Sequence, residues 1–222
     1  MSAVLEPPQI TLREAVDKAA EDSIFYSSFF FEREFRQDPA PFHADLWDLF
    51  EGYRLSSAKI FRGGAKTTIA RLFASKRIAY GFARTVLFIS KSEGHAAESV
   101  RWLMTQVEYN TKWAQAFGLK KGSKWTETDI EILHGELGHT IRVQAYGILG
   151  SIRGVNIDGH RPDLIVVDDP CDEENTATEE GRLKMSDLFF GAVAETLAPR
   201  SEKPHACMIL LQTPLAEGDL CD

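Results

Sequence analysis

The chain has 222 residues, 44% of them hydrophobic, with 25 basic and 33 acidic side chains for a net charge of -8. That length and apolar content suit one globular α/β domain with a sizeable core, and the acidic balance argues against binding nucleic acid with the whole surface. The three cysteines, Cys171, Cys207 and Cys221, lack metal-ligand spacing, which argues against a disulfide framework or a zinc site.

Residues 1–40 read as an N-terminal helical extension, with helix expected over 10–36. Thr11 is positioned to cap it, and Phe25, Phe29, Phe30 and Phe35 fall mostly on one face. After the break "RQDPAP", a second domain is expected over 41–222. It opens with the short helix "FHADLWDLF" and the strand "RLSSAKIF", which runs into glycines. "KTTIARLFASKRIAYGF" has helical period, "TVLFIS" reads as a buried strand, and "GHAAESVRWLMTQVEYN" is again helical. Lys120, Lys121 and Lys124 read as a solvated loop. "DIEIL" and "HTIRVQAY" alternate about His134–Gly138 as a hairpin. "PDLIVVDDP" is an apolar run closing in two aspartates. A long helix is expected from Thr178 to Leu197, followed by the strand "HACMILLQTP". Apolar runs alternating with helices predict a mostly parallel sheet covered on both faces. No basic leader or run of eighteen apolar residues is present, which reads as a cytoplasmic protein with no membrane span.

The stretch "KIFRGGAKTT" departs from the phosphate-loop pattern G-x-x-x-x-G-K-[ST]: Ile60 and Ala65 stand where its two glycines belong. It still holds what a triphosphate site requires. A strand leads into Gly63 and Gly64 for close backbone approach, Lys66 serves the β/γ oxygens, and Thr67 opens a helix with a hydroxyl for Mg²⁺. Ala65 adds one methyl group to a glycine position, which is tolerable there if its φ is negative. The alternative is an ordinary glycine turn. Asp168 and Asp169, at the carboxyl end of an apolar strand about a hundred residues on, supply the acids that hold Mg²⁺ and polarise water. Together the two motifs favour ATP binding.

At these residues the chain resembles the large subunit of tailed-phage terminases, the ATPase that packages DNA into procapsids. "FH" at 42–43 is similar to that family's adenine-side motif, and "FRGGAKTT" to its variant Walker A. "VLFISKSEGHAAESV" is similar to the segment after its second strand. "GSIRG" with "RPDLIVVDDP" is similar to its Walker B region, and "LLQTPLAEGDL" to its coupling motif. Many members carry Asp-Glu where this chain has Asp168-Asp169. The resemblance implies an ASCE, RecA-like P-loop NTPase, with the family's C-terminal nuclease domain expected to lie outside this chain.

It also implies roles. Arg62, Gly63, Gly64, Ala65, Lys66, Thr67 and Thr68 would surround the phosphates of ATP, with Phe42 and His43 beside the adenine. Thr67 and Asp168 would hold Mg²⁺, Asp169 would orient the hydrolytic water, and Thr213 would couple γ-phosphate state to motion. Arg62 would touch the γ-phosphate in cis. Arg153, flanked by glycines, would act in trans on a neighbour's ATP, the alternatives being a DNA contact or a structural turn, with Arg142 and Arg161 as competing candidates. The implied partners are double-stranded DNA, other copies of the chain in a ring, a portal protein and a small terminase subunit, all in the host cytoplasm. The competing readings are a helicase-type P-loop ATPase, a nucleotide-binding assembly module without turnover, and an α/β scaffold that binds no nucleotide.

Overall fold

A computed structural model of the chain describes residues 10–34, 38–150, 152, 159–215 and 220–221. The first segment is two helices rather than one. Helix α1 (Leu12–Glu21) opens with a capping box, in which Thr11 Oγ1 accepts from Glu14 N–H at 3.3 Å and Glu14 Oε2 accepts from Thr11 N–H at 2.8 Å. Asp22 then breaks the helix. Its backbone is extended, and its carboxylate caps α2 (Ser23–Phe30) by accepting from Phe25 N–H at 2.8 Å. Phe35 lies outside the described residues.

These two helices are fastened to the main domain by buried polar contacts. Trp113 Nε1–H donates to Tyr26 OH at 2.8 Å, and Tyr26 OH lies 2.9 Å from Ser75 Oγ, which donates to Leu72 O. Lys76 Nζ donates to Ser23 Oγ at 2.6 Å and to Glu51 Oε1 at 2.9 Å. Tyr26, Phe30 and Phe31 share one apolar cluster with Trp113 and Phe117. The extension is therefore part of the core.

The sheet has seven strands in the order β1-β7-β6-β2-β5-β4-β3. These are β1 (Leu55–Lys59), β2 (Thr85–Ser90), β3 (Leu119–Thr126), β4 (Asp129–His134), β5 (His139–Gly147), β6 (Leu164–Asp168) and β7 (Cys207–Gln212). The first five in spatial order pair parallel; β5-β4 and β4-β3 pair antiparallel. The hairpin falls where the alternation places it, with His134 opposite His139. The lysine-rich segment is a correction. Lys120, Lys121 and Lys124 belong to edge strand β3, which has a bulge between Lys121 and Trp125. Charged side chains on an edge strand deter further pairing, and they also hide the period-2 signal.

Helices cover both faces of the sheet. On β2, Val86 and Phe88 point into the cluster that includes α4 (Lys66–Ala79) and α5 (Glu93–Tyr109), while Leu87 and Ile89 point into the opposite one. That opposite face is closed by α8 (Glu179–Leu188), a π-helical turn over Phe189–Val193 and a 3₁₀ turn over Ala194–Thr196, where one long helix was expected. Helices α3 (Pro41–Gly52), α6 (Thr111–Ala116) and α7 (Glu173–Thr176) complete the domain. Among the described residues, no helix is long and apolar enough to cross a membrane.

Candidate functional site

Strand β1 delivers the chain at Ile60 into a turn that reverses into α4. Gly63 has φ 87°, a value that glycine adopts without strain. At Gly64 a Cβ would lie 2.7 Å from the Ile60 side chain, so the turn closes only without one. Ala65 departs from expectation: its φ is 57° and ψ 21°, in the left-handed region. An L-residue there costs about 1–2 kcal/mol. The strain places Lys66 at the first turn of α4.

His43, on α3, supports this turn from behind. Its Nδ1 accepts from Ala40 N–H at 3.2 Å, which leaves the proton on Nε2 to donate to Gly64 O, also at 3.2 Å. The ring is buried, and both its nitrogens are used to hold backbone. Phe42 packs edge-on against it at 4.4 Å and lies 5.7 Å from Phe61. Phe61 was not singled out by motif. It is 61% exposed and presents an aromatic face beside the loop.

The strand order puts β7 between β1 and β6, so Thr213, just past β7, lies between the loop and the aspartates. Thr67 Oγ1 donates to Asp168 Oδ2 at 2.6 Å. The other oxygen, Asp168 Oδ1, is buried with no hydrogen-bond partner among the described residues. Burial pushes this carboxyl above the ordinary carboxylate range; the Thr67 hydrogen bond opposes that, and the Asp169 charge adds to it. Asp169 also has positive φ, 46°, which aspartate tolerates better than most residues. Its backbone is held by Leu211 O and Lys91 N–H, and its Oδ1 accepts from Thr213 N–H at 2.7 Å. Lys66 Nζ closes the arrangement at 2.8 Å from both Asp169 Oδ2 and Thr213 Oγ1.

Buried Gln212 also went unnoticed in the sequence, although it stands one residue before Thr213. Its amide accepts from Cys171 N–H at 3.2 Å and donates to Thr213 O at 3.1 Å, tying the turn after β6 to the end of β7. A cleft of about 420 Å³ opens beside these groups, lined among others by Arg62, Lys91, His95, Asp169 and Thr213. Arg62 is exposed at its rim, and Thr68 is half-buried in the first turn of α4.

The arginines separate. Arg142 is largely buried in an ion-pair network: its guanidinium bonds both carboxylate oxygens of Asp129 and reaches Glu131 at 2.7 Å. It is held in place as a strut, poorly suited to reach a neighbouring molecule. Arg161 is exposed, and Arg153 lies outside the described residues.

No family model and no curated protein matches this chain. What the site can do chemically therefore rests on its own geometry. An ammonium, two hydroxyls and two carboxylates converge beside a glycine turn and the N-terminus of a 14-residue helix, the setting in which backbone N–H groups and the helix dipole favour an anion.

Proposed function

We propose that this chain binds Mg-ATP at the turn between β1 and α4 and hydrolyses it, as a P-loop ATPase. The observation that carries the reading is the Thr67–Asp168 pair at 2.6 Å, whose second carboxylate oxygen is buried without a partner among the described residues. A hydroxyl and a carboxylate fit Mg²⁺, which takes oxygen ligands and usually keeps phosphate oxygens and water as the others. Mg²⁺ held by Thr67 and Asp168 would neutralise charge on the β/γ oxygens. The rest of the chemistry belongs to this chain's side chains. Lys66 turns from Asp169 to the phosphate. Asp169, released, accepts a hydrogen bond from water and orients it for in-line attack. Thr213, bonded to Lys66 and next to Asp169, registers the exchange at the end of β7. Phe61 and Phe42 offer aromatic surface to the base, and His43 contributes by fixing the loop.

The wider role, translocating double-stranded DNA in a phage packaging motor with a ring of copies, a portal and a small subunit, is proposed from the resemblance of the sequence motifs to large terminase subunits. Catalysis of this kind is mostly positioning and charge neutralisation, and an arginine from a neighbour would complete it.

The test is Mg-ATP turnover per chain against protein concentration, with Lys66→Ala as control. Turnover that rises with concentration and vanishes in the variant supports a catalytic site completed by a neighbour. Flat but Lys66-dependent turnover assigns the γ-phosphate contact to Arg62 in cis. Mg-dependent nucleotide binding without turnover would make the chain a nucleotide-binding module, and absence of binding overturns the reading.

A further inference from the structure

The opposite end of the sheet holds a second concentration of charge, of the other sign. β2 runs from Thr85 to Ser90, so its amino end lies roughly 17 Å from the aspartate end, at about 3.3 Å per residue. At that amino end, a cavity of about 150 Å³ is lined by Arg84, Arg142, His160 and Lys203, with Thr85 and Thr140. Glu131 also lines it, but its carboxylate is engaged by Arg142, Ser123 and Lys124. Asp163 is buried next to two of these lining residues, accepting from the backbone N–H groups of Arg84 and Thr85; Lys203 Nζ is 4.0 Å away.

The cations at this end of the sheet are only partly neutralised: Arg142 is paired with Asp129 and Glu131, and Lys203 lies near Asp163. Among the described residues, no carboxylate forms an ion pair with Arg84, Arg161 or Arg200, all three exposed, although Glu195 and Glu202 are exposed on the same connections. Arg161 adjoins His160, and Arg200 lies close enough to Arg54 for their charges to repel. In a chain of net charge -8, such a cluster has an electrostatic cost that a bound polyanion would remove. Its guanidinium, ammonium and hydroxyl groups suit phosphate oxygens, and a cavity of this size admits a phosphate group but no base.

We propose that the amino ends of β2, β5 and β6 form a nucleic-acid backbone site, in which Arg84 and Lys203 contact one phosphate and Arg161 and Arg200 its neighbours. The choice of duplex DNA as the nucleic acid rests on the proposed motor reading; the site itself does not. Contacts of this kind carry no base sequence information, and they are salt-dependent through counterion release.

The experiment is fluorescence anisotropy of a labelled DNA duplex titrated with the full chain at several salt concentrations. The variants are Arg84→Gln/Lys203→Gln and, among the exposed arginines, Arg161→Gln/Arg200→Gln, each checked for a native thermal melt. Either pair should weaken binding about tenfold and make the salt slope shallower by about 0.9 for each phosphate no longer neutralised. Lys66→Ala should bind the duplex as the parent does. If the parent fails to bind at low salt, or both double variants bind like it, the proposal is overturned. Inorganic phosphate that saturates the cavity without displacing the duplex overturns it too, leaving a small-anion pocket. Fluorescent ATP analogue binding, measured on the same samples, reports separately on the loop: its loss with duplex binding intact would count against the ATPase reading alone.

Discussion

Lys66 Nζ sits 2.8 Å from Asp169 Oδ2 and is shared at the same distance with Thr213 Oγ1. One ammonium thus links the start of α4, the turn after β6 and the end of β7. On the proposed reading, a phosphate bound at the loop would compete for that ammonium and free the carboxylate proposed to orient water. The hydroxyl of Thr213 is the part of this linkage that can be removed with least disturbance. Thr213→Val should leave nucleotide affinity within a few-fold and lower kcat about tenfold, equivalent to ~1.4 kcal/mol of barrier. Steady-state kinetics separates the two; a rise in KM with kcat unchanged would assign Thr213 to binding alone.

Ala65 holds a left-handed conformation at φ 57°. Glycine adopts it without steric strain, so Ala65→Gly should stabilise the chain by about 0.5–1 kcal/mol after glycine's greater unfolded-state entropy is subtracted. Ala65→Val should be destabilised, because a β-branched residue at positive φ is strained more. Chemical denaturation of both variants checks the order, and nucleotide binding should survive in the glycine variant.

Asp168 is held above its ordinary value by burial. Below that ordinary value the carboxyl is protonated in both folded and unfolded chains. As pH rises past it, the unfolded chain ionises first, and stability is lost until pH passes the folded value. Asp168→Asn removes this penalty while keeping an acceptor for Thr67. At neutral pH, without nucleotide or Mg²⁺, its Tm should rise above the parent's, and turnover should vanish. The gain should disappear when the melts are repeated at a pH below the ordinary carboxylate range.

Tyr26 is fully buried between Trp113 Nε1 and Ser75 Oγ. Tyr26→Phe leaves the indole N–H without an acceptor, which should cost about 1–3 kcal/mol in denaturant unfolding. A single transition in that experiment, followed by both tryptophan fluorescence and circular dichroism, is expected because α2 shares its core with α4 and α6. A separate early transition would mark residues 12–30 as an independent extension.

Much of this molecule is written in local pattern. The period of "KTTIARLFASKRIA", the unbroken apolar run "TVLFIS" and the alternation about His134–Gly138 became α4, β2 and the β4–β5 hairpin, because a helix or strand needs only neighbours along the chain to declare its buried face. The glycine turn with Lys66 and Thr67, and the pair Asp168-Asp169, were visible as residue types. Other features needed distant partners. β3 was hidden because an edge strand faces solvent and tolerates lysines. The break at Asp22 depended on a side chain choosing a backbone N–H over the helix. The sign of φ at Ala65 followed from the closure of the turn between β1 and α4. The insertion of β7 between β1 and β6, which places Thr213 against Lys66 and Asp169, comes from pairing between strands far apart along the chain. So does the gathering of Arg84, His160 and Lys203 at the far end of the sheet, since parallel strands bring all their amino ends to one edge regardless of separation along the chain.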